Sequence, residues 1–274
     1  MKIDLLWDGK IIDSVSYRKK AYSKITSNVQ VDFSKWPVVS NQVRCYLLYD
    51  GHEFVKTDLH YRSATQLEKI ALIVESPHKD EFSVDFSPLQ PLSGKSGEKF
   101  DLNIAKKMDG WFSSPPIANT LFEVKIFNPV TYQTSLYHFL SNLISYDRLE
   151  KQLPSSFDIP KYGCIQDVEN SSLRNEVWKC LFTNSAFPCE IDFSNELKSY
   201  APQYIVNSCT GSNNPKLKTW KNVNQIYTRT PKKQMRGYSA NNLKTIVRRS
   251  MFTYFSVSNP LILYREDIHP CQWR

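Results

Sequence analysis

The sequence lacks several features that would place it in a common class at once. No apolar run is long enough to cross a membrane, and the start, Met1–Lys2–Ile3–Asp4, has no apolar segment of a secretory signal. Six cysteines are scattered, without a CxxC pair or a histidine-rich cluster, at positions 45, 164, 180, 189, 209 and 271. We therefore expect a cytoplasmic protein with free thiols, no bound metal and no cofactor.

Acidic residues are missing from one long region. Between Leu197 and Arg265 the chain has twelve lysines or arginines and no aspartate or glutamate, whereas the rest has 27 acidic and 23 basic residues. Such segregation of positive charge favours a polyanionic partner, since a solvated basic face usually has acids interspersed. We expect a nucleic-acid partner, double- or single-stranded, with phosphate contacts from Lys232, Lys233 and Arg236.

The chain has enough apolar residues for a substantial core, because 41% of its 274 residues are hydrophobic and 13% are aromatic. We expect an α/β protein that is a monomer and has two parts. Residues 1–65 are predicted to form a β-rich accessory segment, since Asp8–Gly9 and Asp50–Gly51 each stand between apolar runs, as in hairpin turns. Residues 66–274 are predicted to form the main domain.

The main domain is organised around the segment that begins at residue 70. Five apolar residues, Ile70–Val74, predict a short strand buried on both faces. Pro77 ends this strand, because proline cannot donate a backbone hydrogen bond to a neighbouring strand. Glu75, Ser76 and His78 are therefore expected at the carboxyl end of a central strand, where open α/β sheets bind ligands.

A second polar segment leads into a predicted helix over 98–108. Its sequence, Pro-Leu-Ser-Gly-Lys-Ser-Gly at 91–97, combines glycine and serine beside the start of that helix. Backbone N–H groups at such a position bind anions, since they lack helical partners and the helix dipole favours negative charge. We therefore predict DNA phosphate contacts from Ser93, Gly94, Lys95 and Ser96.

These two segments resemble the first motif of the uracil-DNA glycosylase superfamily, most closely its family 4. The family pattern is a buried strand, Gly-Glu-Ala-Pro-Gly, an acidic loop, and Pro-Phe-Val-Gly-x-Ser-Gly before a helix. Val74–His78 stands at the first part, Asp80–Glu81 in the loop and 91–97 at the second part, with Val74 and His78 replacing two glycines. The paired N-terminal cysteines that hold an iron–sulfur cluster in family 4 have no counterpart here, and no cluster is expected.

Later segments resemble other parts of the superfamily. His269–Pro270, after a predicted strand over 260–264, matches two of the three residues of its His-Pro-Ser motif. Asn184 follows a second predicted strand, Val177–Phe182, and is similar in position to the asparagine that hydrogen-bonds the flipped base. Tyr132 and Gln133 lie in a loop before a predicted helix, where relatives press on the DNA backbone. An ordinary turn or a capped strand end is the alternative for each of these segments.

The resemblance implies a three-layer α/β/α sandwich with a central parallel sheet, and a DNA glycosylase that leaves an abasic site. Glu75, with Asp80 in reserve, would stabilise the cation-like sugar, and His269 would donate a hydrogen bond to O2 of the departing base. Asn184 would recognise the edge of the base, because a carboxamide offers a donor and an acceptor together. Further base contacts are expected from Ser76, Pro77, His78, Tyr132 and Gln133.

The expected substrate is a modified, bulky pyrimidine. His78 replaces a glycine of the pocket loop, and the segments 79–90, 111–119 and 144–173 are long enough to wall a larger cavity, although surface insertions explain such segments too. Bacterial anti-phage glycosylases of this superfamily remove glucosylated hydroxymethylcytosine from phage DNA. The chain is compatible with that role in anti-phage defence, which we take as a hypothesis.

Two alternatives to a glycosylase remain. Ile73–Lys79 also resembles the start of the Toprim domain of type IA topoisomerases, whose chemistry needs a later Asp-x-Asp pair to hold Mg²⁺. No Asp-x-Asp occurs in the sequence, and the nearest match is Glu190–Ile191–Asp192. The other alternative is a non-catalytic DNA-binding relative of the glycosylase fold. Base excision that does not depend on Mg²⁺ would separate the glycosylase from the Toprim interpretation.

Overall fold

The computed structural model describes residues 2–16, 28–57, 64–83, 87–134, 171–210, 217–223, 242–255 and 262–273. Within these ranges the fold is mixed α/β, with a three-stranded sheet, a seven-stranded sheet and four α-helices. None of the described helices is long and apolar enough to cross a membrane. The predicted α/β class is confirmed.

The chain divides into two compact units, each built from three segments. The first unit comprises Met1–Val39, Ser76–Leu89 and Val130–Glu190. The second unit comprises Ser40–Glu75, Gln90–Pro129 and Ile191–Arg274. The boundary near residue 65 between an accessory segment and a main domain stays a prediction.

The described helices are α1 (Lys95–Trp111), α2 (Ser171–Thr183), α3 (Cys189–Tyr200) and α4 (Leu243–Phe255). The predicted helix over 98–108 lies inside α1, and the helical spacing of apolar residues over 243–255 coincides with α4. Helix α1 carries its buried residues at Phe100, Ile104, Met108 and Trp111, the three- to four-residue spacing of one helix face.

Helix α2, in the first unit, corrects one prediction. The segment Val177–Phe182 was predicted as a buried strand, but it is helical. Its fully buried residues are Val177, Trp178, Leu181 and Phe182, whereas Lys179 and Cys180 are half-buried. Pairs of apolar residues four positions apart lie on one face of a helix, and a strand would instead bury alternate residues. The stacked rings of Trp178 and Phe182, 4.8 Å apart, follow from that helical spacing.

The sheet of the first unit consists of β1 (Lys2–Trp7), β2 (Lys10–Ser16) and β3 (Asn28–Asp32) in the order β2-β1-β3. Strands β1 and β2 are antiparallel, and β3 is parallel to β1. The predicted turn at Asp8–Gly9 joins β1 and β2, with φ angles of 50° and 74°. Positive φ at both central residues is the requirement of a tight two-residue hairpin turn, and glycine meets it without strain.

The seven-stranded sheet of the second unit has the order β5-β4-β7-β6-β8-β10-β9. Its inner strands β7, β6, β8 and β10 run parallel to one another, whereas β4 pairs antiparallel with β7, β5 with β4, and β9 with β10. Strands β4 and β5 come from before residue 65, yet β4 pairs with β7 along most of its length. The strands are β4 (Gln42–Tyr49), β5 (Phe54–Thr57), β6 (Gln66–Ile73), β7 (Thr120–Phe127), β8 (Tyr204–Asn207), β9 (Lys221–Asn222) and β10 (Leu263–Glu266).

The core of the second unit shows which residues share a face of this sheet. Ile70, Leu72 and Val74 belong to one buried cluster with α1, and alternate residues of β7 and β8 join the same cluster. Successive strand residues point to opposite faces, so Ile73 and Glu75 belong to the other face. On that face the ring of Phe127 contacts α3 residues Phe193 and Tyr200, with centroids 6.4 and 5.5 Å away.

Candidate functional site

Glu75 lies where the parallel strands β6 and β8 end side by side. It is 5% exposed, and the hydroxyl of Thr210, just beyond β8, donates a hydrogen bond to its carboxylate. The neighbouring thiol of Cys209 donates to the carbonyl of Val74. Burial, and then the negative charge of Glu75, raise the pKa of the Cys209 thiol well above its ordinary value, so this thiol stays a donor. The carboxylate is therefore held at the carboxyl edge of the sheet, as the sequence predicts.

Asn128 is a candidate residue that the sequence reasoning did not single out. It follows β7 directly, and its backbone N–H donates to the side-chain oxygen of Asn41 at 2.6 Å. The side chain is completely buried, yet neither its oxygen nor its nitrogen has a hydrogen-bond partner within the described ranges. Leaving such a buried amide unpaired costs about 1–3 kcal/mol, which makes the position unusual in a folded protein.

The strand register places Asn128 in one row with two other residues. Ile73 is aligned with Phe127 on one side and with Asn207 on the other, so the next residues, Asn128, Val74 and Ser208, form a row across three adjacent strands. The backbone hydrogen bonds of the sheet continue into this row. The Val74 N–H donates to the Phe127 carbonyl at 2.9 Å, and the Ser208 N–H donates to the Ile73 carbonyl at 2.8 Å. Ser208 is also fully buried, and its hydroxyl has no partner in the described part of the chain.

Several polar groups on the other face of the same edge are hydrogen-bonded. The side-chain nitrogen of Asn207 donates to the Tyr264 hydroxyl and to the Lys244 carbonyl, both at 3.0 Å. Arg248 Nε donates to the buried carboxylate of Glu266 at 2.6 Å. Burial lowers the pKa of Lys244, and its ammonium donates to the carbonyl of Asp267. This network joins α4 to β8 and β10.

His269 follows β10 and precedes the short 3-10 helix Pro270–Gln272. Its Nδ1 accepts a hydrogen bond from the backbone N–H of Cys271 at 3.3 Å, so the neutral imidazole carries its proton on Nε2. The turn is fixed to α1 through Trp273, whose indole N–H donates to the Ile268 carbonyl at 3.0 Å and whose ring stacks on Phe100 at 5.7 Å. The strand before it begins at Leu263, three residues later than predicted.

The loop before α1 has a backbone that its sequence explains. Gly94 is the N-cap residue, has a φ of 72° and contributes no side-chain cap to the helix. A Cβ at Gly97 would lie 1.5 Å from the carbonyl oxygen of Leu92, so only glycine fits there. Ser93 Oγ donates to the Gln90 carbonyl at 2.8 Å, whereas Lys95 is exposed. Ser93, Gly94, Lys95 and Ser96 therefore lie together at the amino end of a 17-residue helix.

The remaining predicted base contacts belong to the first unit. Ser76 Oγ shares a hydrogen bond with Thr134 at 2.9 Å, and His78 Nδ1 is 3.3 Å from a carboxylate oxygen of Asp80. Tyr132 is 8% exposed and packs edge-to-face on Trp7 and Phe33. Pro77 and Gln133 are buried.

Asn184 is placed differently from the prediction. It follows helix α2, and its side-chain oxygen accepts a hydrogen bond from the Ala186 N–H at 3.1 Å. This is the local bond by which asparagine forms a turn. The predicted role of Asn184 depends on a strand before it, and helix α2 occupies that position instead. The asparagine that does follow a buried strand is Asn128.

The predicted phosphate contacts Lys232, Lys233 and Arg236, and the segment 144–170, lie outside the described residues. Among the residues that the structure describes, no three His, Cys, Asp or Glu side chains are grouped to hold a metal ion. Comparison with protein-family models, with curated proteins and with solved structures finds no match to this chain.

Proposed function

We propose that the protein is a DNA glycosylase that takes a flipped, modified pyrimidine to the carboxyl ends of β6, β7 and β8 and hydrolyses its N-glycosidic bond. The observation that carries this proposal is the completely buried carboxamide of Asn128, which has no hydrogen-bond partner within the described residues and follows the strand next to that of Glu75. The resemblance of Val74–His78 and 91–97 to the glycosylase motif supports it. Helix α1 on one sheet face and α3 on the other support the three-layer α/β/α architecture of that superfamily.

Asn128 suits recognition of a pyrimidine edge. The ring presents a donor and an acceptor side by side at N3 and at the group on C4, and a carboxamide offers the complementary pair. Because both carboxamide atoms are without partners before binding, no protein hydrogen bond has to break when the base arrives. A base that satisfies both atoms would remove their burial cost of about 1–3 kcal/mol.

Glu75 and His269 suit the two charges that develop in the reaction. As the bond between base and sugar breaks, the sugar becomes cation-like, and the carboxylate of Glu75 would stabilise it or orient the attacking water. The departing base becomes anionic, and the Nε2–H of neutral His269 would donate to its O2. The hydrogen bond from the Cys271 N–H to Nδ1 keeps the proton on the nitrogen that must donate.

Binding of the DNA backbone would use the amino end of α1 with Ser93, Gly94, Lys95 and Ser96, together with the basic region that includes Lys232, Lys233 and Arg236. His78, Tyr132 and Gln133 stay predicted contacts from the resemblance. We further propose that the enzyme acts as a cytoplasmic monomer on bulky pyrimidines of phage DNA, with glucosylated hydroxymethylcytosine as the leading substrate.

The test is release of free base from oligonucleotides that contain uracil, 5-hydroxymethylcytosine or its glucosylated form, each measured in excess EDTA. We expect base release that persists in EDTA, with strand breaks only after alkali or heat opens the abasic site. Direct, Mg²⁺-dependent strand cleavage would instead favour the Toprim alternative, and DNA binding without release would favour a non-catalytic relative.

Two matched glutamate variants test whether Glu75 supplies the carboxylate that base release requires. Glu75→Gln should keep DNA binding and lose most base release, because the charge opposite the cation-like sugar is lost. Glu68→Gln, at the other end of β6, should release base like the parent. Equal activity of Glu75→Gln and the parent would remove Glu75 from the proposed mechanism.

A further inference from the structure

Arg265 on β10 is a buried cation without an anion beside it. Its side chain belongs to a residue that is 7% exposed, and no Asp or Glu of the described residues forms an ion pair with it. Arg248, the other buried arginine at this end of the sheet, pairs with Glu266. Buried arginines are rarely left without such a partner, because removing a charge from water is costly.

The acidic residue closest to Arg265 along the chain, Glu266 apart, is bonded elsewhere. One carboxylate oxygen of Asp267 accepts the indole N–H of Trp111 at 2.6 Å, and the other accepts the backbone N–H of Ile268 at 2.7 Å. Burial lowers the pKa of Arg265, and the charge of Asp267 opposes this only in part. Arginine still stays protonated at neutral pH, so the buried charge persists.

The guanidinium of Arg265 has a free donor on one edge. Its Nη1 donates to the carbonyl of Trp111 at 2.9 Å, whereas its Nε is buried and has no partner in the described chain. Nε lies on the edge that it shares with Nη2, away from Nη1. This edge is a planar fork of two N–H groups, which matches two oxygens of a carboxylate or a phosphate.

Trp220 brings a second donor to the same place. The centre of its ring is 5.3 Å from Cζ of Arg265, and its Nε1 is buried without a partner in the described part of the chain. The rings of Tyr204 and Phe112 pack on it at 5.1 and 5.7 Å. Indole and guanidinium nitrogens donate and do not accept, and two hydrogen bonds of about 2.9 Å can meet at one small acceptor between them. A positive charge with two such donors calls for an anion.

This cluster is separate from the proposed base site. Arg265 is aligned with Val206, which packs in the cluster with α1, so Arg265 faces α1 whereas Glu75 lies on the other face. Asn128 follows β7, three strands away from β10, and strands are about 4.8 Å apart. About 14 Å or more therefore separates Asn128 from Arg265.

We propose that Arg265 and Trp220 bind one small oxyanion, a phosphate or a carboxylate, with the fork of Arg265 and the N–H of Trp220 as donors. The ion reaches Arg265 past Trp220, which is half-buried and lies between exposed Thr219 and Lys221. Exposed Lys218 and Lys221 attract it. A phosphate inside a DNA strand carries a sugar on both sides and is too large for this nearly closed recess. The ligand is therefore a free ion or the terminal group of a small molecule.

The experiment is a titration of the full chain with sodium phosphate or sodium acetate, at an ionic strength held constant with sodium chloride. Calorimetry and the melting temperature report binding. The parent should bind at least one of the two ions saturably, with a melting temperature that rises as the site fills. Trp220→Phe keeps an aromatic ring and removes one N–H, so it should weaken binding about tenfold or more. Arg265→Met should abolish binding and keep the fold, because it removes a buried charge that has no anion.

Two control variants separate this site from general effects of charge or of tryptophan. Trp36→Phe, at a buried tryptophan of the first unit, should bind the ion like the parent. Lys221→Gln, at the exposed neighbour of Trp220, should weaken binding by no more than about twofold, as loss of one exposed charge does.

The outcomes do not depend on the proposed function. Saturable binding that Trp220→Phe weakens and Trp36→Phe leaves unchanged supports the site even if no DNA base is ever released. No saturable binding of either ion by the parent, or binding that is unchanged in Trp220→Phe or Arg265→Met, would overturn it. A loss of affinity for an unmodified DNA oligonucleotide in Trp220→Phe would assign these donors to the DNA backbone, and would overturn the assignment to a small ion.

Discussion

At the carboxyl edge of the parallel strands, the two faces of the sheet differ in whether their buried polar side chains have hydrogen-bond partners. On the face toward α4, Asn207 makes hydrogen bonds through both ends of its carboxamide, and Arg248 pairs with Glu266. On the face toward α1, Asn128 and Ser208 are equally buried but their side chains have no partners in the described chain. The two asparagines are one residue apart in strand register.

The contrast separates polar groups that hold the fold from polar groups available to a ligand. A buried hydrogen bond contributes about 0.5–1.5 kcal/mol to stability, whereas a buried group without a partner costs about 1–3 kcal/mol. A protein that retains buried polar groups of the second kind sacrifices stability at that position. Loss of stability at a binding site is expected when the missing partner is the ligand.

The largest effect on stability should come from the paired face. Arg248→Met removes the guanidinium that pairs with the carboxylate of Glu266, which is 1% exposed, and should lower the free energy of unfolding by about 3–5 kcal/mol. Lys106→Met, at an exposed position of α1, is the control and should change it by less than about 0.5 kcal/mol. Urea unfolding measures both. A loss of under about 1 kcal/mol in Arg248→Met would show that the pair of Arg248 and Glu266 contributes little to stability. That result would contradict the contrast between the two faces of the sheet.

His269 should matter for the reaction and little for the fold. His269→Ala should lower the single-turnover rate of base release about 10²–10³-fold, as removal of one donor to a developing anion does. The control is His52→Ala, whose imidazole lies in the exposed turn between β4 and β5. An unchanged rate in His269→Ala would show that another group donates the hydrogen bond to the departing base.

Exchange of each asparagine for leucine tests the contrast directly in stability. Asn207→Leu removes three hydrogen bonds and leaves the Tyr264 hydroxyl with one partner fewer, so it should lower the free energy of unfolding by about 2–4 kcal/mol. Asn128→Leu replaces the carboxamide, which has no partner in the described chain, with an apolar side chain of the same branched shape, and should leave stability unchanged or raised. Equal losses in the two variants would show that Asn128 is also paired in solution.

A smaller effect concerns thiols. At pH 8 a thiol reagent should modify exposed Cys271 rapidly and Cys209 only on unfolding. Since the pKa of Cys209 is raised in the folded protein, its contribution to stability is complete below about pH 9 and is lost as the pH rises further, when only the unfolded thiol ionises. Cys209→Ala should flatten this alkaline decline in the melting temperature. A decline as steep as in the parent would assign it to other groups, such as buried Tyr264.

Several elements were predictable because local patterns determine them. The apolar run at Ile70–Val74 overlaps β6, which begins earlier, at Gln66, and ends at Ile73, and the helices predicted over 98–108 and 243–255 correspond to α1 and α4. The prediction of a strand at Val177–Phe182 is wrong because a short apolar run suits a strand or a helix, and only the structure shows that Lys179 and Cys180 are half-buried.

The sequence marks the position of Asn128 but does not show that its side chain lacks hydrogen-bond partners in the described residues. In the sequence, Asn128 is a polar residue that precedes a proline at the end of a buried apolar run. Glu75, before Pro77, shows the same pattern. The lack of partners at Asn128 is a tertiary property, set by the pairing of β7 with β6 and β4 from distant parts of the chain. Edge residues of a sheet acquire their surroundings from such long-range pairing, which no local pattern encodes.

The most direct test of the account is base release by Asn128→Leu from the modified oligonucleotide that the parent processes best. We predict a variant with the melting temperature of the parent or higher, with intact DNA binding, and with base release lowered at least about 10²-fold, because the base loses both hydrogen bonds at its edge. A stable Asn128→Leu variant that releases base at the parent's rate would contradict the claim that the unpaired face of the sheet is the base-binding site.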